Sequence, residues 1–159
     1  MPRTRIPNSG SGRTVLEHNL YDFRAQKQTG NIWFVDSTGA AGTGLSPEDP
    51  KITLGAAESA LTTNNDDIIY VMDLHAESIT GAAGVTFAKS GTTWWGLGVG
   101  YNRPTITFST STAAQMIVSG NHVTFKNIIF DFTGIDAIVA AISVTGTDVA
   151  FEDCEFIVN

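Results

Sequence analysis

Hydrophobic and polar residues alternate over short segments of this chain, and one such arrangement occurs twice. Met116–Phe132 (MIVSGNHVTFKNIIFDF) is matched 26 residues later by Ile142–Phe156 (ISVTGTDVAFEDCEF). The matched pairs are Gly120 and Gly146, Val123 and Val149, Phe125 and Phe151, Asn127 and Asp153, Ile128 and Cys154, and Phe130 and Phe156. Successive side chains of a strand point to opposite faces, so each copy predicts strands with one apolar face. A period of this length predicts units that bury that face by stacking on each other, here as β-coils.

Short strands and turn residues fill the remainder of the chain after residue 30. Strands are expected at Ile32–Val35, Asp67–Met72, Ala76–Thr80, Val85–Ala88, Thr92–Gly96 and Thr105–Phe108. One amphipathic helix is expected from Lys51 to Leu61, with start signals at Pro50 and Thr53. The strands are not each followed by a helix, which excludes a doubly wound α/β protein. A β-sandwich stays open, although the repeat and the lack of Asn-Gly or Asp-Gly hairpin turns favour a parallel stack.

Charge divides the chain into an arm, residues 1–30, and a body, residues 31–159. The arm has five basic and two acidic residues, a net charge of +3, and the body has four basic and fourteen acidic residues, a net charge of −10. We expect an extended arm that becomes ordered on a partner, with a disordered tail as the alternative. A short helix over Thr14–Lys27 is possible, because Val15, Leu16, Leu20 and Phe23 fall near helical spacing. The charge of the body disfavours nucleic-acid binding.

The overall composition is that of one folded domain. The chain has 159 residues, 42% of them hydrophobic, and its only cysteine excludes an internal disulfide. Cys154 replaces Ile128 of the first copy, so we interpret it as a small buried hydrophobic residue. There is no apolar run of about 18 residues and no signal-peptide core, and we expect a soluble protein made in a reducing cytoplasm without membrane contact.

Few residues have a type and spacing that indicate a catalytic or metal-binding site. Asp73, His75 and Glu77 alternate on one strand and could form a metal or acid–base cluster, but two-residue spacing is common on exposed strands. The acidic residues of the repeats are most simply a solvated strand face: Asp148, Glu152 and Glu155. We therefore predict no catalytic residues, no cofactor and no metal. Trp94 and Trp95 point to opposite faces, so one should pack in the core while the other contacts a glycan or a protein.

Several landmarks after residue 31 resemble right-handed parallel β-helix proteins of the pectate-lyase-like kind, especially those on bacteriophage particles. They are Trp33-Phe34-Val35-Asp36-Ser37, Gly44-Leu45-Ser46-Pro47 before the helix, Asp66-Asp67-Ile68-Ile69-Tyr70-Val71, and Trp94-Trp95-Gly96-Leu97-Gly98 followed by Arg103-Pro104-Thr105-Ile106. The resemblance covers Ile32–Asn159. It implies an all-β, right-handed parallel β-helix solenoid, whose N-terminal end the helix caps and in which Phe125 stacks on Phe151 and Phe130 on Phe156. The C-terminal end would need cover from another copy, another protein or further chain, and of these we expect further chain.

The function that the resemblance implies is structural. We predict a non-enzymatic virion protein, a capsid-surface decoration, cement or head-fibre protein, that forms a homotrimer and docks on the major capsid protein. The docking residues would be Arg3, Arg5, Arg13, Arg24 and Lys27 of the arm. A tail spike or fibre that binds or cleaves host polysaccharide is the alternative, and a secreted polysaccharide lyase is a third reading. A lyase of this fold is expected to use basic residues, and Lys126 is the only one after Arg103.

Overall fold

The computed structural model describes residues 30–109, 112–136 and 140–158, and this part of the chain is mostly β with parallel sheets and one α-helix. The strands are β1 (Ile32–Val35), β2 (Ile68–Val71), β3 (Ala76–Ile79), β4 (Val85–Phe87), β5 (Thr92–Gly96), β6 (Thr105–Phe108), β7 (Met116–Val118), β8 (Val123–Lys126), β9 (Ile129–Asp131), β10 (Ile142–Val144), β11 (Ala150–Glu152) and β12 (Glu155–Ile157). The helix α1 spans Leu54–Ala60. The predicted strands are confirmed with ends shifted by at most one residue, and the helix is shorter than predicted.

The strands form three parallel sheets that the chain visits in a fixed order. The five-stranded sheet has the order β1-β2-β5-β8-β11, the four-stranded sheet β12-β9-β6-β3 and the three-stranded sheet β10-β7-β4. From β2 onward the chain passes through the five-, four- and three-stranded sheets in turn and then returns to the five-stranded sheet, one strand further along. We call each such passage through the sheets a circuit. The inward side chains of all three sheets share one core, which includes Trp94, Phe87 and Phe108. The pairing is parallel throughout these sheets, which excludes the β-sandwich alternative.

The sequence repeat sets the register of the last two circuits. Ile142 pairs with Met116, Phe151 with Phe125 and Phe156 with Phe130, each 26 residues apart. Phe125 and Phe151 stack with ring centroids 5.1 Å apart, and Phe130 and Phe156 with centroids 5.4 Å apart. The predicted aromatic stacks are therefore confirmed. Phe125 and Phe130 are buried, whereas Phe156 in the last strand is 48% exposed.

The corner between the five-stranded and four-stranded sheets depends on one residue in the left-handed region. Asn127 separates β8 from β9 with φ of 55°, and Asp153 takes the equivalent place after β11 with φ of 53°. Asparagine and aspartate adopt this conformation more readily than other residues that carry a Cβ atom. The Nδ2 of Asn127 also donates to the carbonyl oxygens of Gly96 at 2.8 Å and Gly98 at 3.0 Å. The side-chain amide of Asn127 therefore ties this corner to the preceding circuit.

Replacing Asn127 with alanine should lower the free energy of unfolding by about 2 kcal/mol, because it combines left-handed strain with the loss of two hydrogen bonds. Asn127→Gly is the matched control: glycine accepts the backbone conformation and removes only the hydrogen bonds, so its loss should be smaller. Urea unfolding of both variants measures the difference. A glycine variant as unstable as the alanine variant would show that left-handed strain contributes nothing at this corner.

The helix α1 lies against β1 and β4, which are edge strands of their sheets. Thr53 is its N-cap, as predicted, and accepts a hydrogen bond from the backbone N–H of Ala56 at 3.1 Å. Leu54 and Ala57 point into the core. Glu58 is also buried, and its Oε1 accepts from the backbone N–H groups of Ala88 and Lys89, both at 2.7 Å. The carboxylate therefore fixes the helix to the end of β4.

Candidate interaction surface

The outer face of the five-stranded sheet carries a continuous row of large side chains. One residue per strand contributes, because parallel in-register pairing places equivalent residues side by side: Phe34, Tyr70, Trp95, Lys126 and Glu152. The first three form an aromatic row that points away from the core, and Lys126 and Glu152 extend it with opposite charges. We call the three rings the aromatic row.

The rings of the aromatic row contact each other. The ring centroids of Phe34 and Tyr70 are 5.9 Å apart and those of Tyr70 and Trp95 are 6.0 Å apart, with interplanar angles of 33° and 42°. The Nζ of Lys126 lies 5.8 Å from the centroid of Trp95 and 2.7 Å from a carboxylate oxygen of Glu152. Trp95 is 42% exposed. A tryptophan with one face open beside an ammonium group suits contact with an apolar or planar partner.

A corner loop follows β5, the strand that carries Trp95. It runs from Leu97 to Pro104 and is held against the preceding turn, since the N–H of Leu97 donates to the carbonyl oxygen of Val71 and that of Leu74 to Asn102, both at 2.8 Å. Tyr101 at its tip is 99% exposed, and Val99 and Leu74 are also exposed. Exposed apolar side chains are therefore also present at this corner.

The two adjacent tryptophans of β5 lie on opposite faces of the sheet, as strand alternation predicts. Trp94 is completely buried, packs edge-on against Phe87 at 4.8 Å and donates from Nε1 to the hydroxyl of Thr92 at 3.3 Å. Trp94 is therefore the tryptophan of the pair that packs in the core, and as an inward residue of β5 it is not available as a glycan or protein contact. Trp95 has the exposed position that the alternation predicts for one of the two.

The segment Asp73–Glu77 does not form an open chemical site. His75 is buried; its Nδ1 accepts the backbone N–H of Ser37 at 2.9 Å, and its Nε2 lies 3.4 Å from Oε2 of Glu77. That same carboxylate oxygen accepts the N–H of Leu54 at 2.7 Å. Since Nδ1 accepts, the neutral ring carries its proton on Nε2 and points it at Glu77. His75 therefore joins the end of β1 to β3 and, through Glu77, to the start of α1.

The acidic residues of the second repeat lie on the surface, as predicted, and pair with neighbours. Glu152 pairs with Lys126, Glu155 forms an ion pair with Arg103, and a carboxylate oxygen of Asp148 lies 3.3 Å from Nδ1 of His122. Within the described residues, no group of three or more histidine, cysteine or acidic side chains could hold a metal ion.

Cys154 is half-buried, less than predicted, because it belongs to the last circuit. Its Sγ donates to the carbonyl oxygen of Phe125 at 3.5 Å, and burial raises the pKa of the thiol. A protonated thiol is a weak nucleophile. The side chain thus packs against the core as the replacement of Ile128 suggests.

The arm residues Arg3, Arg5, Arg13, Arg24 and Lys27 lie outside the described residues. Phe34, Tyr70 and Lys126 were not predicted as site residues, because only the register of their strands with that of Trp95 brings them into one row.

No helical segment in the described ranges has the length and apolar character needed to cross a bilayer. No family model, curated protein or solved structure matches the chain.

Proposed function

We propose that residues 31–159 form a right-handed parallel β-helix solenoid with α1 as its N-terminal cap. The fixed order in which the chain visits three parallel sheets supports this, since each return adds one strand to each sheet. The contact of α1 with two edge strands supports a capping role, because an uncovered strand edge invites pairing with other chains.

We propose that this solenoid is a non-enzymatic structural protein of a bacteriophage particle: a decoration, cement or head-fibre protein on the capsid surface. The observation that carries the proposal is the basic arm in front of an acidic repetitive body, with net charges of +3 and −10. Arginine suits docking on a protein shell, because its planar guanidinium group binds carboxylates through two parallel hydrogen bonds. The polar side chains that could have served catalysis, such as His75 and Glu58, are instead used in internal hydrogen bonds.

The proposed partners are the major capsid protein and two further copies of this chain. The arm contacts the capsid through Arg3, Arg5, Arg13, Arg24 and Lys27. The protein is then located on the virion, after assembly in the host cytoplasm.

Deletion of Pro2–Gly12 tests the docking role of the arm. Because it removes Arg3 and Arg5 and leaves the body intact, we expect loss of binding to particles that lack this protein, with unchanged thermal unfolding. Co-sedimentation with the particles measures binding. A control variant keeps both arginines and replaces the rest of Pro2–Gly12 with glycine and serine, and it should still bind. Full occupancy by the deletion variant would contradict the proposal.

A tail spike or fibre protein that binds host polysaccharide is the second candidate. The aromatic row favours it, since aromatic faces can stack on sugar rings, and Trp95 is the most exposed of the three. A glycan array with the wild-type chain and Trp95→Ala separates the candidates. Binding that the substitution abolishes, together with location on the tail, would favour the second candidate over the first.

A further inference from the structure

The outer face of the five-stranded sheet lacks the polarity expected of a surface in water. The residues that its first three strands direct outward are all uncharged: Ile32, Phe34, Ile68, Tyr70, Thr93 and Trp95. Ile32 and Trp95 are exposed, and the other four are partly exposed. Parallel sheets are normally covered on both faces. This face therefore has the composition of one that another surface covers.

The corner loop after β5 carries exposed apolar side chains although its backbone is fixed. Val99 is 81% exposed and Tyr101 is 99% exposed, and Leu74 on the preceding turn is exposed beside them. We call these three side chains the apolar corner. Besides the two backbone bonds that hold the loop against the preceding turn, Nδ2 of Asn127 donates to the carbonyl oxygen of Gly98 at 3.0 Å. A loop fixed in this way loses little conformational freedom when it binds a partner.

We propose that three copies of this chain form a closed ring in which the apolar corner of each copy packs on the aromatic row of the next. The inference rests on the proposed function for the number of copies, whereas the two surfaces are chosen from the structure alone. A contact between two different surfaces of identical chains leaves one of each uncovered until rotation closes a ring. In the closed ring, every aromatic row and every apolar corner is covered.

The two surfaces occupy the same positions along the stack. Each strand of the five-stranded sheet lies one level beyond the previous one, a spacing of about 4.8 Å. Tyr70 lies on β2 and Leu74 directly follows β2, so these two share a level. Trp95 lies on β5, and Val99 and Tyr101 follow it at the next level. Rotation about an axis parallel to the stacking direction keeps every residue at its own level, so the ring brings each ring of these two levels opposite an apolar side chain.

The corner also protrudes only at the levels of the aromatic rings. The connections that follow β2 and β5 are residues 72–75 and 97–104, whereas those that follow β8 and β11 are the two-residue turns 127–128 and 153–154. The outer row changes from rings to charges between the same strands, since β8 contributes Lys126 and β11 contributes Glu152. The protruding part of the corner therefore ends where the apolar part of the row ends.

A hydrogen-bond donor and an acceptor match at the level of β2. Within the part of the chain that the structure describes, neither the hydroxyl group of Tyr70 nor the carboxylate of Asp73 has a hydrogen-bond partner. Asp73 is exposed and immediately precedes Leu74, so the ring places it beside Tyr70 of the next copy. Its carboxylate can accept the hydroxyl proton there, and polar pairs of this kind fix the register of an interface.

Sedimentation equilibrium of the full chain and its variants tests the proposal. The wild type should be a trimer. Tyr101→Asp puts a charge on the apolar corner and Trp95→Asp puts one on the aromatic row, and each should weaken self-association about tenfold or more. Tyr101→Phe is the matched control and should associate like the wild type, because it keeps the ring. Both positions are exposed, so circular dichroism should show an unchanged fold.

Mixing the two aspartate variants separates this ring from other arrangements. Tyr101→Asp keeps an intact row and Trp95→Asp keeps an intact corner, so a mixture can form one complete contact and should give a dimer with one copy of each. If rows instead packed on rows, Tyr101→Asp alone would associate normally and the mixture would restore nothing.

Cross-linking with a short bismaleimide gives a second measurement that does not depend on the aspartate variants. In a Cys154→Ser background, chains with Thr93→Cys on the row are mixed with chains with Val99→Cys on the corner, one of them tagged so that mixed dimers differ in size. Ser78→Cys, exposed on the outer face of the four-stranded sheet, replaces Thr93→Cys in the control mixture. The yield of mixed dimers should be about tenfold higher with Thr93→Cys than with Ser78→Cys.

Several results would overturn the inference. A trimer that neither aspartate variant weakens would do so while leaving the proposed three copies in place, and a monomeric wild type would overturn both. Cross-linked dimers of Thr93→Cys chains alone, in excess over mixed dimers, would show that rows face each other in pairs. Docking on the particle is measured separately with the arm deletion, so its failure would change none of these results.

Discussion

Replacing Phe125 with alanine should lower the free energy of unfolding by about 3–5 kcal/mol, the usual cost of removing a buried phenylalanine. Phe125 is buried and contacts aromatic rings on three sides, namely Phe87 at 4.9 Å, Phe151 at 5.1 Å and Phe130 at 6.2 Å. The cavity would lie where consecutive circuits stack, so neighbouring rings cannot close it without losing their own contacts. Equilibrium urea unfolding measures the change.

Phe156→Ala is the matched control, since it removes the same side chain from an aromatic stack at a position that is 48% exposed. Its effect should be about 1 kcal/mol, because much of the ring is already in water. Equal losses for Phe125→Ala and Phe156→Ala would contradict the difference in burial between the two positions.

Replacing Glu58 with alanine should lower the free energy of unfolding by about 2–4 kcal/mol, because hydrogen bonds to a carboxylate contribute more than neutral ones and two are lost. The N–H groups of Ala88 and Lys89 would lose their acceptor, and α1 would lose its tie to the end of β4. Glu58→Gln is the control: its amide oxygen can accept the same two bonds, so its loss should be smaller. Thermal unfolding of both variants measures the effect. A glutamine variant as unstable as the alanine variant would contradict the role of these bonds.

The same glutamate should contribute to the pH dependence of stability. Burial raises the pKa of Glu58, against the lowering effect of the bonds from Lys89 and Ala88. The folded state therefore holds this proton more tightly than the unfolded state. As pH rises from the ordinary glutamate pKa to the raised value, the unfolded state loses its proton first, so the contribution of Glu58 to stability falls. In Glu58→Gln that decrease should be absent, and an unchanged pH profile would contradict the assignment.

The hydrophobic pattern was sufficient to predict the strands and the register of the last circuits. Phe125 and Phe151, or Phe130 and Phe156, are identical residues at a fixed spacing, so in-register pairing stacks each ring on its partner. The start of α1 was predictable for a local reason as well, since Thr53 caps it through its own side chain. Such features depend on residues close in sequence or on an exact repeat.

Other features depended on contacts that no local pattern contains. Glu58 reaches backbone groups 30 and 31 residues away, and His75 reaches Ser37 across 38 residues. The aromatic row required the register of β1, β2 and β5, in which the repeat is too weak to align. Of this row, the sequence indicated only Trp95, because strand alternation predicts that one of the two adjacent tryptophans points outward.

Disulfide formation between β8 and β11 would test the parallel stack most directly. In a Cys154→Ser background, four double-cysteine variants combine Thr124 or Lys126 with Ala150 or Glu152, all on the outer face of the five-stranded sheet. Parallel in-register pairing predicts bonds between residues 124 and 150 and between residues 126 and 152, which are direct partners. Preferential bonds between residues 124 and 152 and between residues 126 and 150 would show that the strands run in opposite directions, and the stacked architecture would then be wrong.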